Sequence, residues 1–158
     1  MRFAALLASL LVLGGSSRVI SAHGVRLTAP AGWHSVAPWG SGPVTDPKTL
    51  LVVGTAGTRR IVSPCEITSY RPSPRGAVVV VVGWKQGGTP PNRGGRGPLR
   101  ALRRVRRHTF ECWPGRGAAA QVTLRGRVYQ VNVMVGDRAT RRVVEQALAV
   151  GRSFDRAR

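Results

Sequence analysis

Apolar and polar positions along this chain fall into short stretches, and the period changes from one stretch to the next. Val25-Arg26-Leu27-Thr28 alternates residue by residue, the pattern of a half-buried strand, and Ala29-Pro30-Ala31-Gly32-Trp33 turns it, with Trp33 placed to close the edge of a core. Thr49 to Thr55 (TLLVVGT) reads as a buried strand by its β-branched content. In Ala77 to Trp84 (AVVVVVGW) five consecutive valines show no alternation, which predicts a central strand covered on both faces. His108 to Trp113 predicts a further strand with Phe110 and Cys112 on one face. Residues 118 to 135 predict a hairpin turning at Arg125-Gly126. Its second arm puts Tyr129, Val131, Val133 and Val135 on one face, and Gln130 and Asn132 on the other.

Helical signals occur in two places. Ser63-Pro64-Cys65-Glu66 has the form of a helix start, with Ser63 as N-cap, Pro64 at the first helical position and Glu66 three residues after the cap. Pro72 and Pro74 hold that helix to about two turns. Near the C-terminus Asp137 reads as an N-cap, and Val143, Val144, Ala147, Leu148 and Gly151 recur on one face, with Arg138, Arg141, Arg142, Glu145 and Arg152 mainly opposite. The fold class is therefore α+β: a mostly antiparallel sheet of about six strands, a short helix before the central strand, and a C-terminal amphipathic helix packed on one face.

The N-terminus predicts the compartment. Met1-Arg2 is a minimal positive segment, and Phe3 to Leu13 is apolar or small throughout. As a helix that run spans about 17 Å, short of the roughly 30 Å hydrocarbon core, so it fits a signal peptide better than a membrane span. Small residues follow, and cleavage after Ser17 or after Ala22 suits them. No cysteine lies just past the run, which argues against a lipid anchor. The organisation is thus a signal peptide over 1–22 and a single domain over 23–158, secreted or extracytoplasmic, with no stable transmembrane span after signal removal. The competing reading is a buried N-terminal helix of a cytosolic protein. Within the domain, residues 37–48 form a Pro/Gly loop, and 86–98 a flexible basic linker of Gly, Pro, Asn and Arg.

Charge changes the picture more than size does. The 158 residues carry 25 Lys+Arg against 6 Asp+Glu, a net charge of +19, and only Lys48 and Lys85 are lysines. Two cysteines exclude a disulfide-dense scaffold and a four-cysteine zinc site. His23, His34 and His108 are not spaced as metal ligands, so neither a metal nor a cofactor is implied. Asp46, Glu66, Glu111, Asp137, Glu145 and Asp155 read as solvated or ion-paired carboxylates, and no catalytic residue stands out. Gly115 to Ala120 fits GxGxxA, but the strand-like Gln121-Val122-Thr123-Leu124 follows where a dinucleotide site needs a helix. Gly54 to Thr58 lacks the Lys-Ser/Thr of a phosphate-binding loop, and no GxSxG occurs.

Between Glu66 and Glu111 there is no acidic residue, while Arg71, Arg75, Lys85, Arg93, Arg96, Arg100, Arg103, Arg104, Arg106 and Arg107 all fall inside. This stretch is an anion-attracting field, and Arg93, Arg96, Arg100, Arg103, Arg104, Arg106 and Arg107 form the candidate anion-binding set. Arginine forks match phosphate and carboxylate, and Trp84 and Trp113 flank the stretch where they could stack bases or sugars. The alternative is arginine usage set by a GC-rich genome on a solvated surface. Non-specific polyanion binding follows from charge alone. Two function classes result: an exported non-catalytic domain binding an anionic cell-envelope polymer or a protein partner, or a small extracytoplasmic enzyme whose site residues leave no motif.

The order "LTAPAGW", "LLVVGT", "SPCE", "GAVVVVVGW", "FECW", "VYQVNVMVG" and "RATRRVVEQALAVGRSF" resembles small exported proteins of unknown function common in high-GC actinobacteria. Similar proteins carry a cysteine at the start of the short helix and another in the later strand, which Cys65 and Cys112 match. The turn into Trp33, the antiparallel sheet and the terminal helix are also similar to the Mog1/PsbP-like sandwich, without its long early helix. In an oxidising compartment two cysteines allow one intramolecular pairing, so a Cys65–Cys112 disulfide is expected; two buried free thiols are the competing reading.

Overall fold

The computed structural model describes residues 16–36, 46–85 and 95–157. The apolar run Phe3–Leu13, the loop 37–45, and residues 86–94 of the predicted linker, Arg93 among them, lie outside the described residues. The strands are β1 (Ser17–Ala22), β2 (Val25–Pro30), β3 (Trp33–Ser35), β4 (Lys48–Thr55), β5 (Arg59–Arg60), β6 (Tyr70–Arg71), β7 (Ala77–Gly83), β8 (Arg106–Arg107), β9 (Arg116–Leu124), β10 (Arg127–Val135) and β11 (Asp155–Arg156). Among the described residues there is one α-helix, α1 (Arg141–Arg152), which precedes β11. The fold is α+β, with an antiparallel six-stranded sheet ordered β3-β4-β7-β10-β9-β8. A three-stranded sheet, β1-β2-β11, and the ribbon β5-β6 complete it. Among the described residues no helix is long and apolar enough to cross a membrane.

The valine run of β7 is buried at every position, because layers lie on both sides of it. Ala77, Val79 and Val81 pack with Leu27 of β2, Leu148 and Val150 of α1, and Phe154, whose ring lies 5.3 Å from that of Tyr129. Val78, Val80 and Val82 face the other way, against Val52, Met134, Tyr70 and Trp113. Each fully buried valine is worth about 1.5–3 kcal/mol relative to exposure, so this two-sided burial organises the core. The hairpin turns at Arg125-Gly126 as predicted, with φ of 50° and 73°. Positive φ at both central residues matches the right-handed twist of the strands, and Gly126 takes it without steric cost.

Three local expectations are corrected. The short helix before β7 is a single 3-10 turn, Glu66–Ser69, capped by Cys65 without a side-chain cap bond. Ser63 Oγ instead accepts from the Cys65 N–H at 3.3 Å and lies 2.7 Å from Thr68 Oγ1, spending its hydroxyl on a local loop. His108 to Trp113 is a turn rather than a strand. His108 and Cys112 have φ of 51° and 61°, and Thr109 Oγ1 donates toward the carbonyls of Arg106 and Gly117, both at 2.8 Å, where a ladder would run. Strand pairing is confined to Arg106 and Arg107, against Gly117 and Arg116. The cap of α1 is Thr140, whose Oγ1 accepts from the Val143 N–H at 3.3 Å. Asp137 cannot serve because its neighbours are pinned to the preceding loop: the Gly136 N–H donates to Gly76 O at 2.9 Å and the Arg138 N–H to Pro74 O at 2.8 Å.

Candidate functional site

The basic stretch is held in place by two leucines. A 3-10 turn, Gly97–Ala101, and the residues after it bury Leu99 and Leu102 against the first core face. The arginines between and after these anchors therefore point outward, and Arg96, Arg100, Arg103, Arg104, Arg106 and Arg107 are all exposed. Arg96 Nη2 donates to the Arg152 carbonyl at 3.0 Å, and Arg152 Nη1 donates to the Leu102 carbonyl at 2.5 Å, tying the turn to the end of α1. Of this set only Arg107 has an ion-pair partner among the described residues, Asp137 at 3.4 Å. Part of the predicted linker is built into the fold as well, since the Gly95 N–H donates to Thr123 O of β9 at 2.8 Å.

A cleft of about 690 Å³ opens beside β8. Arg59, Arg71, Arg107 and Arg138 line it together with Trp113 and Asp137. Only Arg107 belongs to the set predicted from sequence. Arg59 and Arg138 lie far from the basic stretch along the chain, and nothing in the linear order joins them; the Arg59-Arg60 doublet is the one local signal. Pairing of β5 with β6 sets Arg59 opposite Arg71, and pairing of β8 with β9 sets Arg107 opposite Arg116. The Arg71 guanidinium lies over the Trp113 ring, 5.0 Å from its centroid, a cation–π contact. The Arg71 Nε is buried and has no hydrogen-bond partner among the described residues.

The two tryptophans that flank the basic stretch sit in different settings. Trp113 is buried under Arg71 and donates its Nε1–H to the Arg116 carbonyl at 3.1 Å, so it is a floor and not a stacking platform. Trp84 is half-buried and lines a second cavity of about 250 Å³ with Lys48, Lys85, Arg127 and Tyr129. Cys65 and Cys112 form a disulfide with Cα atoms 6.3 Å apart. It joins the loop that leads through the 3-10 turn to Arg71 with the turn that carries Trp113, and both residues line the cleft.

Among the described residues no three of His, Cys, Asp and Glu come together as a metal-binding group would require. His23 lies in the β1–β2 turn, His34 on β3 and His108 in the turn after β8. The Asp155 carboxyl is displaced below its ordinary range. Burial, the largest influence on Asp155, pushes its carboxyl up, but the Arg26 hydrogen bond, the Arg156 backbone N–H and the nearby charges of Arg96 and Arg26 outweigh it and hold it below the usual value.

Comparison with known proteins finds no match to a family model, to a curated protein or to a solved structure.

Proposed function

We propose that this chain is an extracytoplasmic, non-catalytic binding domain that holds an anionic cell-envelope component, or a protein partner with an acidic surface, through its arginine-rich face. The observation that carries this reading is the exposure of Arg96, Arg100, Arg103, Arg104, Arg106 and Arg107 around two buried leucines. Ordering these side chains on an anchored turn lowers the entropy lost when a partner binds, compared with the same charges on a free tail. Export is part of the proposal, supported by the apolar N-terminal run and by a disulfide, which belongs in an oxidising compartment. It accords with the resemblance of the sequence layout to small exported actinobacterial proteins.

The experiment is a salt titration of binding to a polyanion such as heparin or polyphosphate. Counterion release makes log K fall linearly with log salt, with a slope set by the number of anionic groups neutralised. Replacing Arg100, Arg103, Arg104 and Arg106 by Gln removes four exposed cations and should flatten the slope by roughly three to four. An unchanged slope would place the binding on another face.

A further inference from the structure

We propose that the cleft between the β5–β6 ribbon and β8 is a specific site for a small ligand carrying two or more adjacent anionic groups, phosphates or carboxylates, gripped by Arg59, Arg71, Arg107 and Arg138. This deepens the reading that the basic surface takes an anionic partner, and rests on it, but it locates a site where Arg107 alone comes from the predicted anion-binding set, and gives its ligand a size and a charge.

Three observations carry it. First, Arg59 and Arg71, which both line the cleft, are direct cross-strand partners. Directly opposite residues of an antiparallel pair share one face, and like charges there oppose the pairing. An anion between the guanidinium groups converts that repulsion into two attractions, so the arrangement is stable in the bound state and frustrated in the free one. Second, Arg71 is already positioned by the Trp113 ring, and its buried Nε has a proton to donate and no partner among the described residues. Planar forks held in place bind phosphate and carboxylate bidentately at low entropic cost. Third, four arginines line the cleft against the single carboxylate of Asp137, and its volume of about 690 Å³ lies within the usual range of small-molecule sites. One anionic group leaves most of that charge unanswered; two or three adjacent ones match it.

Calorimetric titration of the purified protein tests this with three probes: tripolyphosphate, citrate and inorganic phosphate. Tripolyphosphate or citrate should bind one per chain and at least about tenfold more tightly than inorganic phosphate, and the stronger of the two identifies the anionic chemistry. Arg59→Gln and Arg71→Gln should each weaken that binding about tenfold, the loss of one charge-assisted bond pair. A combined Arg100→Gln, Arg103→Gln, Arg104→Gln variant should leave it within about twofold, because those side chains do not line the cleft. Arg59→Gln should also raise the Tm of the unliganded protein by roughly 1–4 °C, since it removes a facing like charge. A lower Tm for that variant, or equal losses from cleft and stretch variants, would overturn the proposal. Failure of every probe in the cleft while salt-dependent polyanion binding persists would sink this inference and leave the broader reading standing.

Discussion

Asp155 shows how one side chain joins the end of the chain to its beginning. Its Oδ2 accepts from Arg26 Nη2 at 3.2 Å, and the β11–β2 register places the two residues opposite one another. Its carboxyl is held below the ordinary value of 3.8, so the folded state favours the ionised form more than the unfolded chain does. A group with a depressed folded pKa contributes stability that is fully present above its unfolded pKa and lost as pH falls through the folded one. The contact is therefore in force at neutral pH and disappears in strong acid. Asp155→Asn should lower stability at pH 7 by about 0.2–1 kcal/mol, the range of a partly exposed pair, and cost nothing once the wild-type carboxyl is protonated. Thermal melts of both proteins from neutral pH down into strong acid check this: the deficit should shrink as pH falls, and a deficit that stays constant would mean that the carboxylate charge contributes nothing. At the same scale, Gly136 allows the β10–α1 connection to lie on the preceding loop, because a Cβ there would strike the Ser73 and Pro74 carbonyl oxygens. That contact sets where Asp137 and Arg138 meet the cleft.

Among the elements of the described residues, the second face of the sheet is covered without any α-helix. Tyr70 and Trp113 lie over β7, with Ile67 and Phe110 against them, and the segments that carry them are a 3-10 turn, a two-residue ribbon and a turn with left-handed residues. Such pieces have few ladder bonds of their own, and the Cys65–Cys112 bond is what joins them, across a sequence separation of 47. In the chain-entropy model a closed loop of that length stabilises by roughly 4 kcal/mol, a large share of the 5–15 kcal/mol typical of a domain. The Cys65→Ser, Cys112→Ser variant should therefore lose about that much in denaturant unfolding, and thiol titration of denatured, unreduced wild type should find no free thiol. Two free thiols per chain would reject the bond. The long elements were legible in the sequence: β7, the β9–β10 hairpin and α1 follow from an apolar run, a turn pair and a 3.6-residue period. The disulfide pairing was legible too, because only one exists. What the sequence does not reveal is anything set by tertiary context. The chain around Cys112 has strand-like composition, yet left-handed backbone at His108 and Cys112 and a hydroxyl placed across the ladder make it a turn. Asp137 has a cap residue's chemistry, but its neighbours are committed to Pro74 and Gly76. The cleft arginines converge only through two short pairings that no periodicity announces.

At the scale of the whole molecule, a net charge of +19 has to be arranged so that folding does not set cations against one another in the core. Among the described residues neither apolar cluster contains an arginine. β1, at the edge of its own sheet, bears on where a signal peptide would be cut. Six residues of β1 pair with β2, from Ser17 opposite Pro30 to Ala22 opposite Val25. The Ala31 N–H donates to Ser16 O at 3.1 Å, Arg18 Nη2 donates to the Trp33 carbonyl at 2.6 Å, and Ile20 and Ala22 pack against the core. Cleavage after Ala22 would remove this strand entirely and open the backbone of β2 to solvent or to edge-to-edge pairing with another chain. Cleavage after Ser17 would remove one residue of β1 and the Ser16 carbonyl contact to Ala31 but keep the Arg18 and Ile20 contacts. If the chain is exported with its N-terminal segment removed, as proposed above, the product is expected to begin at Arg18 rather than His23, and intact-mass measurement of material from the native host reads the difference directly. A chain produced from His23 should in addition melt below one produced from Arg18, since it loses the β1 ladder and the apolar cover of Ile20. Recovery of mature protein starting at His23, with an unchanged Tm, would show that β1 is dispensable and would move the domain boundary to residue 22.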